Sequence, residues 1–162
     1  MKTELPMKIE ARYSYLPENW TVAGAIYKRE DIKPLDALFE DVRKFHKAFG
    51  HAAPDSPVLL TEDRINKRAK WIDEETQEMR DAKTIVDQAD ACIDQIYFAV
   101  GTLVELGIRP GKLWEIVQGA NMAKLGPDGK PLYHPDGKTK KPEGWQAPEP
   151  LLEAEVKRQM YG

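Results

Sequence analysis

The chain has 162 residues, a length that fits one domain with an appended segment and leaves little room for two full domains. Hydrophobic residues make up 41% and charged residues 31%, a balance that suits a soluble globule and excludes global disorder. The formal net charge of −3 gives no overall attraction to nucleic acid, and the single cysteine, Cys92, excludes an internal disulfide framework and a cysteine-rich zinc site.

The amino-terminal residues lack the apolar core of a secretory signal peptide. The most apolar stretch, residues 93–108, is interrupted by acidic and amide side chains, so it does not have the pattern of a membrane span. We therefore expect a cytoplasmic protein with neither a membrane nor a nucleic-acid partner.

The first expected element is a short hairpin or ordered arm within residues 1–33. This segment is rich in Tyr, Val, Ile and Thr, which favour strands, and a Pro-Glu-Asn sequence separates two such runs. The remainder, residues 34–162, is expected to form a separate helical domain.

Helical periodicity extends from residue 34 to residue 123 and predicts four main helices. They are expected between Pro34 and Gly50, from a cap at Thr61, from a cap near Thr84 to Leu106, and after Pro110. A short helix over residues 151–160 should pack on the outside. Since no other segment alternates like a strand, the predicted fold class is all-α, a bundle of four main helices plus a short C-terminal helix.

Residues 124–148 cannot form a helix, because four Gly, five Pro and five Lys occur in this stretch. The sequence PDGK occurs at 127–130 and again at 135–138, and Pro-Asp-Gly favours tight turns. A small hairpin or folded-back loop, rich in lysine, is therefore expected after the fourth helix.

The second predicted helix carries carboxylates on the face that should meet the core. On a helical wheel, Glu75 lies within about 60° of Ile72 and Met79, and Glu78 follows it by one turn. Most acidic runs are solvated surfaces, an interpretation that suits Asp73, Glu74 and Asp81 better than it suits this pair.

The third predicted helix carries an acidic stripe of Asp87, Asp90 and Asp94, which lie within about 60° of one another. Beyond Asp94 the helix is apolar on nearly every side, as in a buried helix, so Asp94 is expected to be buried. Buried carboxylates need a compensating charge, and the basic residues of the second helix are too few to pair with five acids. A divalent cation such as Mg²⁺, which prefers oxygen ligands, could neutralise them together.

Residues 34–148 resemble the all-α nucleoside triphosphate pyrophosphohydrolases. Within that group they are most similar to MazG-like proteins of the phosphoribosyl-ATP pyrophosphohydrolase type, including those with dUTPase activity. The resemblance is carried by DEETQEM (73–79), DACIDQIYFAVGTLVELGI (90–108) and ANMAKLGPDGKPLYHPDGKTKKPEGW (120–145).

The family binds Mg²⁺ through E-E-x-x-E on one helix and E-x-x-D on the next. The first motif is matched by Glu74, Glu75 and Glu78, and Asp94 matches the Asp of the second. Position 91 departs from the pattern, because Ala91 stands where the family usually has Glu. Asp90 lies on the same stripe as Asp94 and could supply the missing ligand with a shorter side chain.

The resemblance implies Mg²⁺-dependent hydrolysis of a (deoxy)nucleoside triphosphate to monophosphate and pyrophosphate, with dUTP-like substrates in view and Mn²⁺ as a substitute metal. The expected metal ligands are Glu75, Glu78, Asp90 and Asp94. Either Glu74 or Glu75 would orient and deprotonate the attacking water, and the sequence leaves that choice open.

Substrate binding would require cations for the phosphates and a flat apolar wall for the base. The candidate substrate-binding residues are His46, Asn121, Lys124, Lys138, Lys141 and Trp145. Phe45 and Tyr97 could serve as part of the wall, but their helical spacing fits the core better. The spacing of His46 and His51 is wrong for a zinc pair, and the chain has neither a P-loop nor a G-x-G-x-x-G sequence.

Two alternatives from other classes stay open. The departure at Ala91 would suit a non-catalytic helical module that holds a nucleotide without turning it over, and a purely structural assembly protein is a further alternative. Members of the resembled family commonly assemble as dimers or tetramers, so the resemblance implies a homodimer or homotetramer, which would bury the exposed side of the apolar third helix.

Overall fold

The computed structural model describes residues 19–22, 25–28 and 35–162. The chain divides into two compact units, residues 1–34 and residues 35–162. In the first unit, strands β1 (Asn19–Val22) and β2 (Ala25–Lys28) pair antiparallel, with Asn19 opposite Lys28. A hairpin is therefore present within the predicted arm, but both of its strands lie in residues 19–28, so the Pro-Glu-Asn sequence does not separate them as predicted. The other residues of the arm lie outside the described part of the chain.

The second unit confirms the all-α prediction. Its described helices are α1 (Leu35–Ala48), α2 (Glu62–Asp81), α3 (Ile85–Leu106), α4 (Gly111–Met122) and α5 (Glu149–Tyr161). The last helix begins two residues before its predicted start, because Pro150 fits the first helical turn, where a missing N–H costs nothing. No helix in the described ranges is both long and apolar enough to cross a bilayer.

The helix ends follow the capping chemistry in the sequence. Thr61 accepts a hydrogen bond from the Arg64 N–H at the start of α2, and Thr84 accepts one from the Asp87 N–H at the start of α3. At the end of α3, Gly107 adopts a left-handed conformation with φ of 68°, which a residue with a Cβ rarely takes. The predicted starts of α2 and α3 and the predicted end of α3 are confirmed.

The core lies where α1 packs on the carboxyl-terminal half of α3. Its buried apolar side chains are Phe39, Val42, Val100 and Val104. Helix α2 also packs along α3, so α3 is the central helix of the three. Helix α4 has no buried residue, and its first residue is tied to α1 by a 2.8 Å hydrogen bond from the Gly111 N–H to Asp36 Oδ1.

A buried ionic network joins α2 to α3. Glu105 is 1% exposed and accepts hydrogen bonds of 2.6 and 2.5 Å from Arg64 and one of 3.3 Å from Arg68. Arg68, 4% exposed, also donates to the Thr102 hydroxyl at 3.0 Å and the Phe98 carbonyl at 2.5 Å. Burial alone would raise the pKa of the Glu105 carboxyl, but the Arg64 hydrogen bond and the two guanidinium charges outweigh it and lower the pKa. The network therefore fixes the register of α2 on α3.

The lysine-rich loop contains the predicted hairpin. Strands β3 (Leu132–Tyr133) and β4 (Thr139–Lys140) pair antiparallel. In each PDGK turn the Asp side chain accepts a hydrogen bond of 3.0 Å from the backbone N–H of the Lys two residues later. The Gly of each turn has positive φ, 73° at Gly129 and 83° at Gly137.

Candidate active site

The acidic segments of α2 and α3 lie side by side. The two helices run antiparallel, with the Thr76 hydroxyl 3.5 Å from the Gln95 side-chain oxygen, and the Met79 sulfur 3.7 Å from the thiol of Cys92. Glu75 and Glu78 flank these contact points on α2, and Asp94 adjoins them on α3. The packing therefore places the segments that carry the two predicted motifs next to each other.

Asp94 lies on the part of α3 between the side that faces α1 and the side that faces α2. On α3, Gln95, Phe98 and Thr102 face α2, whereas Tyr97 faces α1. Gly101 lies between Arg68 of α2 and His46 of α1. At 100° per residue, Asp94 is about midway between these two faces.

Glu75 differs from the other candidate ligands in having a buried carboxylate oxygen. Its Oε2 atom is buried and has no hydrogen-bond partner among the described residues. Burial raises the pKa of the Glu75 carboxyl, and the negative charges of the neighbouring acids raise it further; these are Glu78, Asp94, Asp90 and Glu74. A buried anionic oxygen without a partner is costly, and a cation would relieve the cost.

The other predicted ligands are more accessible. Asp94 is half-buried, not buried as expected, because α1 ends at Ala48 and leaves the amino-terminal half of α3 partly uncovered. Glu78 and Asp90 are exposed, while Ala91 is buried at the position where the family has Glu. Asp90 is thus the acidic side chain available at this turn of α3.

The chemistry of this donor set fits Mg²⁺, since every candidate ligand is a carboxylate oxygen and Glu75 Oε2 lacks a partner. The side chains are not gathered around one point. Within the described residues, no three His, Cys, Asp or Glu side chains are grouped so that they could hold a metal ion.

Glu74 differs from Glu75. It is exposed, and its carboxylate lies 3.6 Å from the Lys70 ammonium one turn earlier on α2. Such exposed pairs stabilise a helix by only a few tenths of a kcal/mol. Of the two glutamates between which the sequence could not choose, Glu75 is the one directed toward the other acids.

His46 is placed away from solvent. It is 4% exposed, and its Nδ1 lies 2.9 Å from the Ala52 carbonyl. Its other ring nitrogen lies over Gly101, beside the Arg68 guanidinium. The structure thus places His46 in the packing of α1 on α3.

Four other predicted substrate-binding residues meet at the end of α4. The indole N–H of Trp145 donates to the Ala120 carbonyl at 2.8 Å, and the Lys141 ammonium lies 4.2 Å from the centre of its ring. Lys124 lies 5.8 Å from the same ring and donates to the Asn121 side chain at 2.8 Å. Lys138 does not join them; it is exposed in the hairpin beside Asp136. In the part of the chain that is described, none of these groups pairs with the carboxylates of α2 and α3.

Sequence reasoning missed the surroundings of Phe45 and Tyr97. Both were expected in the core, yet they are 38% and 41% exposed and meet edge to face at 5.9 Å. The signal that could have separated them from the core is the helix stop predicted at Gly50, since Phe45 lies in the last turn of α1, where it and the Tyr97 ring beside it are less covered than the middle of the helix.

The sequence matches the family model described as phosphoribosyl-ATP pyrophosphohydrolase over residues 42–121. This stretch includes both acidic helices and all the carboxylates described above. None of the curated proteins matches the chain.

Among solved structures, the chain is similar to a protein from Exiguobacterium sp. 255-15 that is described as a candidate NTP pyrophosphohydrolase. The two are 38% identical, the match covers 75% of this chain and 95% of that one, and the TM-score is 0.44. The 38% identity over 95% of that relative, together with the family match across both acidic helices, shows that the chain belongs to the phosphoribosyl-ATP pyrophosphohydrolase-like, MazG-like group of pyrophosphohydrolases.

Proposed function

We propose that the protein hydrolyses a (deoxy)nucleoside triphosphate to its monophosphate and pyrophosphate in a Mg²⁺-dependent reaction. The observation that carries this proposal is the buried, unpartnered oxygen of Glu75 among the negative charges of Glu78, Asp90 and Asp94. An arrangement that is unfavourable for folding is typical of a site that binds a cation and its anionic ligand.

Glu75, Glu78, Asp90 and Asp94 would hold the metal. A bound Mg²⁺ would neutralise negative charge on the triphosphate. Electrostatic stabilisation of this kind is usually the largest single contribution to catalysis. Mn²⁺ prefers similar oxygen ligands and would serve as a substitute.

The protein side chains would supply the remaining chemistry. The attacking water must be oriented and lose its proton as it reaches the α-phosphorus. We assign this role to Glu75, because Glu74 is exposed and forms an ion pair with Lys70. The departing pyrophosphate would need cations, for which Lys124 and Lys141 beside Trp145 are the candidates.

The test is pyrophosphate release from a panel of ribo- and deoxynucleoside triphosphates, including dUTP, with and without Mg²⁺. We expect Mg²⁺-dependent release from at least one of them, and at least a hundredfold slower turnover in Glu75→Gln. The control is Asp73→Asn, an exposed acid on the same helix, which should leave turnover within about twofold. No release from any substrate by the wild-type protein would refute the proposal.

A non-catalytic nucleotide-binding module is the second candidate, and the buried Ala91 favours it because one carboxylate of the family motif is absent. This alternative expects tight binding of Mg²⁺-nucleotide without pyrophosphate release. Calorimetric titration of each nucleotide, run on the same preparation as the turnover assay, separates it from the enzyme.

A further inference from the structure

The lysine-rich hairpin concentrates positive charge on an acidic chain. Residues 124–141, called the basic hairpin below, contain five lysines and two aspartates, a formal charge of +3. Because the whole chain carries −3, its remaining residues carry −6. The expectation of no nucleic-acid partner came from the net charge, which averages these two parts, whereas a local basic segment attracts polyanions by itself.

The two aspartates of the basic hairpin leave most of its lysine charge directed to solvent. Asp128 and Asp136 each accept a backbone N–H in a turn. Asp136 also lies 3.5 Å from the Lys138 ammonium, in a pair whose lysine side chain is 83% exposed. Lys130 and Lys140 are exposed and form no ion pair within the described part of the chain. Anions in solution can therefore reach three ammonium groups.

The pairing of β3 with β4 sets the spacing of two of these charges. Tyr133 lies opposite Thr139, and the His134 N–H donates to the Lys138 carbonyl at 2.8 Å, so the ladder continues to Lys138. Since side chains alternate along a strand that rises about 3.4 Å per residue, Lys138 and Lys140 lie on the same side, about 7 Å apart. Consecutive phosphates of an extended nucleic-acid strand have a comparable separation, so both lysines can contact one strand.

Two rings of the basic hairpin also face solvent. Tyr133 is 61% exposed and His134 is exposed, and neither ring contacts another aromatic ring among the described residues. Exposed rings between lysines are typical of proteins that bind single strands, because bases stack on the rings while the cations follow the backbone. An anionic membrane fits less well, since the hairpin tip, residues 135–138, is Pro-Asp-Gly-Lys and has no large apolar side chain to insert.

We propose that the basic hairpin binds single-stranded nucleic acid, with Lys130, Lys138 and Lys140 at the phosphates and Tyr133 stacked on a base. Lysines contact phosphates whatever the base, and every base presents an aromatic face, so binding tolerates changes of sequence. The inference goes beyond the proposed function and does not depend on it, because the hairpin contains none of the carboxylates of α2 and α3.

The experiment measures the anisotropy of a fluorescent oligo-dT strand titrated with the full-length protein at several salt concentrations. Three phosphate contacts predict that log K falls with log salt with a slope of about −2. In the double variant Lys130→Gln, Lys140→Gln, one contact is left and the slope becomes about −0.7. Tyr133→Leu weakens binding roughly 5- to 30-fold and leaves the slope unchanged, because stacking releases no counterions.

The matched controls make the same kinds of change on α5. Lys157→Gln and Tyr161→Leu alter exposed side chains there and should change neither the affinity nor the slope. All the variants keep the Asp and Gly residues of the two turns. Hydrogen exchange of the His134 amide, which is bonded in the ladder, verifies that each variant retains the hairpin.

Several results would overturn the inference. They are no binding of oligo-dT by the wild type at low salt, equal affinity for a blunt duplex of the same length, and binding to vesicles of phosphatidylcholine and phosphatidylserine in place of the strand. Displacement of the strand by a stoichiometric amount of Mg²⁺-nucleotide would also overturn it, since the lysines would then belong to the substrate site. Pyrophosphate release is measured without a strand, so the proposed function stands or fails separately.

Discussion

Asp94 lies close enough to Glu75 for the two negative charges to interact. Among the described residues it forms no ion pair, and its charge helps to raise the pKa of Glu75. Its side chain therefore adds repulsion to the folded protein when no cation is bound. By contrast, Glu105 on the same helix is held by two arginines, so one helix carries both a satisfied and an unsatisfied carboxylate.

We predict that Asp94→Asn leaves the metal-free protein as stable as the wild type or more stable, because one uncompensated charge is removed. The variant should lose turnover and most of the stabilisation by Mg²⁺, which for the wild type reaches about 2.7 kcal/mol at a hundredfold excess over Kd. Thermal unfolding with and without Mg²⁺ measures both effects.

The control for Asp94→Asn is Asp87→Asn, in the first turn of α3. It should lose about 0.3–1 kcal/mol of helix-dipole stabilisation and keep the Mg²⁺ response. A destabilised Asp94→Asn protein with an intact Mg²⁺ response would contradict the prediction.

The carboxylates could be predicted from the sequence because acids on an apolar helix face are visible as a pattern. The solvent exposure of these carboxylates could not be predicted in the same way. Asp94 was expected to be buried, but burial depends on how far α1 extends over α3, and no periodicity within α3 encodes that. For the same reason, Phe45 could be assigned to the right helix and still be misjudged as core.

At the level of elements, α2 and α3 approach closely where Gly101 leaves room for Arg68. A Cβ at position 101 would lie 2.5 Å from the Arg68 guanidinium and 3.2 Å from the His46 ring. Arg68 cannot easily move aside, since Phe98, Thr102 and Glu105 hold it. Gly101 is thus a packing residue in the middle of a helix, where glycine is otherwise unfavourable.

We predict that Gly101→Ala destabilises the protein by about 1–3 kcal/mol, the usual effect of overpacking a closely packed contact. Gly119→Ala on α4 is the matched control, because a Cβ there meets no atom within 4 Å. It should stabilise by about 0.5–1 kcal/mol through helix propensity alone. Urea unfolding of both variants measures the difference, and stabilisation of both would show that Arg68 relaxes freely.

Elements with a local signal were predictable from the sequence. The caps at Thr61 and Thr84 and the left-handed Gly107 depend on neighbours within four residues, and the structure confirms all three. The network of Arg64, Arg68 and Glu105 depends on residues 37 to 41 positions apart. Such a pairing has no local pattern in the sequence. The role of Glu105 could therefore not be predicted without knowing how α2 packs on α3.

At the scale of the whole molecule, the amino-terminal half of α3 presents an apolar surface. Ile85, Val86, Ile93 and Ile96 are each at least half exposed. Within residues 35–162, α1 packs beside the other half of this helix and α2 along its opposite side. A surface of this kind is typical of an interface, and a second copy of the chain would cover it with an identical surface about a twofold axis.

We predict a homodimer or homotetramer that buries this face of α3. Ile93→Lys places a charge at the centre of the apolar surface, where it would be desolvated in the assembly, so the variant should be monomeric at micromolar concentration. Light scattering coupled to size-exclusion chromatography gives the mass directly. Tyr161→Lys is the control, since it adds the same charge at an exposed apolar side chain on α5 and should leave the mass of the assembly unchanged. If the wild type itself elutes as a stable monomer at that concentration, the prediction is wrong, and the apolar face of α3 needs another occupant.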